Sequence, residues 1–170
     1  MFARPVVMVL SVLLLAAAVA PAGAADKRVS VEVSVFKGSV DKPAEQKKPD
    51  PQLRPMINRL RRTFPYPYYE QVGTPTVIAE YGVKTAIEIP ATEGTVLEVI
   101  PRERTSDGLV KMKLKWLKVE MVEGEKKEKV FASLEVSVGR AGGFFLVGPK
   151  SDKEAVILSL KAEEVQAPAD

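Results

Sequence analysis

VKMKLKWLKVEM (residues 110–121) and VFASLEVSV (130–138) read as the two arms of one long β-hairpin. In both, apolar and polar residues alternate, the period of a strand with one buried and one wet face. On the first arm Val110, Met112, Leu114 and Trp116 share a phase, and then Leu117, Val119 and Met121 take the other. On the second arm Val130, Ala132, Leu134, Val136 and Val138 keep one phase throughout. A slip confined to one arm is what a β-bulge produces. Setting Trp116 and Leu117 against Leu134 reconciles the arms. Met112 then meets Val138 and Leu114 meets Val136 on one side of the bulge, while Val119 meets Ala132 and Met121 meets Val130 on the other. Lys115 falls opposite Glu135 on the wet face, and Val122 to Lys129, charged and carrying Gly124, forms the turn. The register puts Trp116 at the centre of a core. It leaves Lys111, Lys113, Lys115 and Lys118 as a solvated ladder of the kind that discourages edge pairing.

Outward from the hairpin the chain is nearly all strand. Val29, Val31, Val33 and Val35 alternate with Ser30, Glu32 and Ser34, giving a first strand with one wet face. Further strands are expected at Tyr68–Val72, Thr76–Glu80, Lys84–Ile89, Thr95–Pro101, Phe144–Val147 and Ala155–Lys161. Short strands punctuated by Gly and Pro point to a sandwich or a partly open barrel. Residues 37–49 are polar, with Gly38, Pro43 and a Lys47-Lys48 pair, and read as a surface loop; residues 162–170 read as a flexible tail. Gly139-Arg140-Ala141-Gly142-Gly143 leads into Phe144-Phe145-Leu146-Val147, so it reads as a hairpin turn. A phosphate loop would lead into a helix.

One helix is expected, at about 50–64. Asp50 can cap it and Pro51 suits its first position. Leu53, Met56, Ile57, Leu60 and Phe64 fall on one stripe, and Pro55 distorts or resets the first turn. Arg54, Arg59, Arg61 and Arg62 point in several solvent-facing directions, as a solvated face or as a patch for anionic polysaccharide or lipid headgroups. After the helix, Phe64-Pro65-Tyr66-Pro67-Tyr68-Tyr69 concentrates aromatics in a chain of only 6% Phe, Trp and Tyr. Buried, they would seal the helix against the sheet; exposed, they would stack on sugars or peptides.

The N-terminus carries Arg4, an apolar run from Val6 to Ala20, and Pro21-Ala22-Gly23-Ala24-Ala25. This reads as a signal peptide at residues 1–24, cleaved after Ala24, because the run is short for a membrane span and ends in a small-residue site. Cleavage would leave 146 of 170 residues as a single β-rich domain (25–161, then the tail) without a transmembrane helix. With no Cys there is no disulfide framework, lipid-bearing thiol or thiol chemistry. With no His the usual general base and the commonest metal ligand are missing.

The formal net charge is +3, with Lys and Arg interleaved among Glu, which is not a nucleic-acid binder's surplus. Glu80, Glu88, Glu93 and Glu98 have no spacing that marks two of them as a catalytic pair. Ser133 and Ser137 sit in a plain alternation with no nucleophile elbow around them.

Asp50-Pro51-x-Leu53, the Phe64-Pro65-Tyr66 exit, and Phe145-Leu146-Val147-Gly148-Pro149 with Ala155-Val156-Ile157-Leu158 resemble a group of exported bacterial proteins of no assigned activity. More faintly, residues 142–148 are similar to the glycine-flanked apolar hairpins of outer-membrane secretins. Neither resemblance implies functional residues.

The sequence thus leads to an α+β expectation, mainly β with one amphipathic helix, for a periplasmic or secreted noncatalytic envelope domain that binds protein or serves as a structural accessory. The contact residues would be Tyr66, Tyr68, Tyr69, Arg59 and Arg62. The foremost expected partner is an envelope protein, with polysaccharide as the alternative through a carbohydrate-binding module built on the three tyrosines. A His-free hydrolase comes third. No cofactor, metal or nucleic acid is expected.

Overall fold

The computed structural model describes residues 27–43, 50–90 and 92–166. The expected signal peptide, the part of the expected loop at 44–49 and the last four residues lie outside them. The chain runs β1 (Lys27–Ser39), a 3-10 turn (Pro51–Leu53), α1 (Arg54–Thr63), β2 (Tyr68–Gly73), β3 (Thr76–Glu80), β4 (Thr85–Glu88), β5 (Thr95–Arg104), β6 (Val110–Val122), β7 (Glu125–Val138), β8 (Phe144–Lys150) and β9 (Glu154–Gln166).

The strands form two antiparallel sheets. The first runs β2-β1-β9-β8, with β3 also on β1: Val35 to Ser39 pair with β2, and Arg28 to Glu32 with β3. The second runs β4-β5-β6-β7. The sheets face one another as a sandwich and do not close into a barrel. Between them lie Val29, Val31, Val33 and Val35 of β1, Leu158 and Leu160 of β9, Leu97 and Val99 of β5, and Val110 to Trp116 of β6 at every second position, all essentially buried.

A second, smaller core sits on the far face of the first sheet. Phe36 and Ile157 are cross-strand partners, and Ile157 is in turn opposite Val147. The apolar stripe of α1 lies on this row, with Leu60 fully buried among Met56, Phe64, Tyr66, Tyr69 and Phe145. Asp50 caps the preceding 3-10 turn by accepting from the Gln52 N–H at 2.9 Å. The turn takes up the Pro51 and Pro55 constraints, so the α-helix starts with Pro55 in its first turn, where a missing N–H costs nothing.

Several expectations are corrected here. The wet face assigned to β1 is wet only at its start, because α1 covers the later half and Ser34 and Phe36 are buried. Lys37, Gly38 and Ser39 belong to β1 and not to a loop, since β9 supplies partners for them out to Glu154. Ala162 to Gln166 continue β9 and are not frayed; they pair with β1 down to Lys27. The glycine-rich 139–143 segment is not a hairpin turn, because β7 pairs with β6 and β8 with β9, so it carries the chain from one sheet to the other. Gly142 (φ 69°) and Gly143 (φ 122°) provide the backbone freedom that this crossing needs.

The long hairpin keeps its bulge at Trp116/Leu117 but differs in register. Met112 faces Val136, Leu114 faces Leu134 and Trp116 faces Ala132, after which Leu117 faces Val130. The extra residue is Phe131, so the bulged strand is β7. The expected eight-residue turn is in fact Glu123-Gly124, both at positive φ (55° and 82°), as a two-residue hairpin turn requires. That tight turn pulls the arms out of the expected register by two residues on the Met112 side of the bulge and by four on the turn side, where Val119 faces Glu128 and Met121 faces Lys126. A shift of two preserves the faces, so Val110, Met112, Leu114 and Trp116 stay inside. Lys115 lies opposite Ser133, and Glu135 opposite Lys113. Past the bulge the burial expectation holds for Leu117, at 2% exposure, and fails beyond it. β6 carries no extra residue, so Leu117, Val119 and Met121 fall on the face opposite Trp116; β5 ends at Thr95 opposite Lys118, and Met121 and Val130 are 69% and 47% exposed.

Candidate functional site

The feature that stands out is one flank of the sandwich. Among the described residues β7, of 14 residues, is paired only with β6, so its other edge presents backbone N–H and C=O groups that none of them engages in a ladder. The facing edge of the other sheet is β8, and no hydrogen-bonded ladder joins the two. Ala132, Leu134 and Val136 of β7 point to the core yet are only partly buried, as is Phe144 of β8. Equivalent residues of the central strands, Leu114, Leu97 and Leu158, are 0% exposed. The core is therefore open along this side.

Trp116 closes the deep end of the opening. Its ring meets the bulge residue Phe131 edge-on (centroids 6.1 Å apart, 74° between planes). Gly148 of β8 lies so close to the indole that a Cβ there would overlap it. A side chain at 148 would thus push the two sheet edges apart. Where β7 leaves for the crossing, Leu109, Val138 and Phe144 help line an open depression of about 540 Å³.

The other edges of the sheets are poorer templates. β4 has four residues, β2 and β3 are separate short segments on β1, and β8 is interrupted at Gly148-Pro149. Among the described strands only β7 combines length, a free edge and half-covered apolar side chains. Its tip carries Lys126, Lys127 and Lys129, none in an ion pair among the described residues, with Lys129 5.8 Å over the Phe131 ring.

Of the five expected contact residues, Tyr66, Tyr69 and Arg59 hold α1 on the sheet, while Tyr68 and Arg62 do not. Tyr66 and Tyr69 are half-buried and meet edge-on, at 87°, on the bare backbone of Gly38. The Tyr69 hydroxyl donates toward the Leu60 and Phe64 carbonyls at 3.1 and 3.3 Å, satisfying the C-terminal end of α1. Burial holds its phenol above the ordinary value. These two rings are packing groups and make no coplanar platform for a sugar. Tyr68 reaches a small polar cavity of about 170 Å³ between Lys37, Asp41 and Glu70. Arg59 clamps α1 to the sheet: its guanidinium donates to the Gly143 carbonyl at 3.2 Å and lies 5.1 Å over the Phe145 ring. Arg62 is exposed.

Charged groups elsewhere are paired in ways that serve the fold. Lys115 reaches Glu128 at 2.9 Å, and each holds the other in its charged form, the lysine raised and the carboxylate lowered. Glu164 accepts from the Tyr81 hydroxyl at 3.0 Å and lies 3.4 Å from Arg104 and 3.5 Å from Lys27. That hydrogen bond is the main cause of its lowered pKa, while burial followed by the same bond pushes Tyr81 up to about 12. Of the four glutamates weighed as acids, Glu80 pairs with Arg28 and Glu98 with Lys84. Glu88 and Glu93 line an open cavity of about 540 Å³ by the β4–β5 turn. Among the described residues no three Asp or Glu side chains gather where a metal could sit, and no helix is long and apolar enough to cross a membrane.

Comparison of the chain with protein-family models, with curated proteins and with solved structures finds no match.

Proposed function

We propose that this protein is an exported, noncatalytic binding domain of the cell envelope that takes up an extended segment of a partner protein along the free edge of β7. The single observation behind this reading is the coincidence, on one strand, of an unpaired backbone edge with a half-covered apolar row, Ala132, Leu134 and Val136. An added strand would satisfy the backbone groups and set its own alternate side chains over Leu134, Val136 and Phe144. Backbone bonds then give affinity and the apolar notch gives selectivity. The lysines of the tip favour a segment with acidic residues at the end nearest Lys126 and Lys127.

The test is capture by crosslinking from the envelope of the producing cell, with wild type and Leu134→Lys compared. An inward-pointing charge on an edge strand blocks strand addition. The expected outcome is a partner held by wild type and lost in the variant, with alternate amides of residues 132–138 slowed in hydrogen exchange when that partner is added. Equal capture by both proteins, at matched thermal stability, would refute the reading.

A further inference from the structure

A different surface carries a second inference, independent of the β7 edge. The described part of the chain uses lysine for most of its surface cations and matches most of them with acids: Lys111 with Glu103 and Glu135, Lys161 with Glu32 and Lys37 with Glu154 across strands, Lys118 with Glu120 within β6, and Lys153 with Asp41 between loops. α1 departs from this in two ways. Four of its ten residues are arginine and none is acidic. Arg59 is engaged with Gly143 and Phe145, but Arg54, Arg61 and Arg62 are exposed and form no ion pair among the described residues. Arg54 and Arg61, seven residues apart, share one stripe about 10 Å long, and Arg62 points directly away from the buried Ile57 and Leu60.

A structural duty explains part of this. Arg61 and Arg62 suit the negative end of the helix, and Arg61 lowers the Tyr69 phenol against the effect of its burial. Neither duty calls for Arg54, which stands at the opposite, positive end, where a cation is disfavoured. Because the apolar stripe of α1 is consumed by Phe36, Ile157 and Phe145, the helix cannot insert elsewhere. It lies flat as the outermost layer of the molecule.

We infer that the exposed arginine face of α1 is a docking surface for a bilayer of anionic phospholipid. A convex helix surface suits a plane of phosphates better than a chain that needs a groove, and the uncompensated positive charge supplies the complementarity. Guanidinium groups engage phosphate oxygens in pairs and lose little hydration in doing so. The docking is peripheral and electrostatic, and it would leave the second sheet, with β7, on the side of the sandwich remote from the bilayer.

Co-sedimentation with phosphatidylglycerol-containing vesicles, and with pure phosphatidylcholine vesicles as the neutral control, tests this. Wild type, the triple variant Arg54→Gln/Arg61→Gln/Arg62→Gln and the triple Arg→Lys variant at the same positions are compared. All three share the same N-terminus, so differences report the helix face alone, and unchanged thermal midpoints confirm the fold. Wild type should prefer the anionic vesicles and lose that preference on raising salt from about 50 to about 500 mM. The glutamine variant should bind about a hundredfold more weakly, at roughly fivefold per cation, and the lysine variant within about threefold of wild type. Equal binding to neutral vesicles, or undiminished binding by the glutamine variant, would overturn the inference. So would tighter binding to soluble polygalacturonate than to vesicles together with failure of the lysine variant, which would identify a glycan carboxylate site.

Discussion

The two long flanks of the sandwich are built from similar residues and end up in different states. On one, the chain itself turns from β3 to β4 through Tyr81 to Lys84, bringing Ala79, Ile87 and Ile89 to 0, 2 and 4% exposure. That corner is then pinned: the Gly82 N–H donates to the Pro101 carbonyl at 2.7 Å, and Tyr81 and Arg104 hold Glu164. On the other flank β7 and β8 face each other with no ladder between them, and Ala132, Leu134 and Val136 are left half-covered. An inward apolar row is buried only as deeply as the neighbouring backbone allows. Apolar pattern sets direction, and topology sets depth.

The largest expected effect lies at the plug between the two states. Trp116→Ala should cost about 3–5 kcal/mol, measured by chemical denaturation, since it removes a fully buried ring. A loss below about 1 kcal/mol would mean that the open flank extends through the plug. Ile87→Ala on the closed flank should cost about 2–5 kcal/mol, and Leu134→Ala on the open one about half as much, because Leu134 already keeps part of its contact with water. Equal losses would break the comparison.

Tyr69→Phe should cost about 1 kcal/mol, through the lost hydroxyl bonds to the Phe64 carbonyl and to the Leu60 carbonyl, which keeps the Phe64 N–H at 2.8 Å. The pinned corner should also show in pH dependence. Tyr81, raised to about 12, contributes stability that is complete below its unfolded value near 10 and is lost as pH rises toward 12. Glu164, lowered, contributes above its unfolded value and loses that contribution as pH falls through the folded one. Tyr81→Phe should flatten the alkaline limb of a denaturation-midpoint profile and weaken the acid limb. The smallest effect is expected at the hairpin tip, where Met121→Ser should change stability by less than about 0.5 kcal/mol, because Met121 is 69% exposed.

Much of the architecture was legible before any coordinates. Alternation at Val29–Val35, 110–116 and 132–138 identified strands and their inward faces, and Asp50-Pro51 marked where the helical region starts. The bulge was legible too, at Trp116/Leu117, though not the strand that carries it. A phase slip on β6 calls for an extra residue on β6, but the tight Glu123-Gly124 turn, hidden inside a charged run, sets a register that puts it at Phe131 of β7. Val119 and Met121 look as apolar as Leu114, but the extra residue lies on β7, so β6 keeps its alternation and they fall on the face opposite Leu114, beyond Thr95 where β5 ends. The candidate site was the least legible part. The sequence drew attention to three tyrosines, of which the fold spends Tyr66 and Tyr69 on holding α1, and gave no sign that β7 is an edge.

By itself the sequence determined the periodicities, and with them which side chains turn inward, because a strand's two-residue repeat and a helix's 3.6-residue repeat are local properties of the backbone. It also determined what chemistry is missing, through the absence of His and Cys. Tertiary structure alone decided that the chain passes between sheets at 139–143, that α1 covers the back of β1 and β9, and that β7 is left without a second neighbour. Strand order is fixed by contacts between residues far apart in the chain, and no local repeat encodes who stands beside whom.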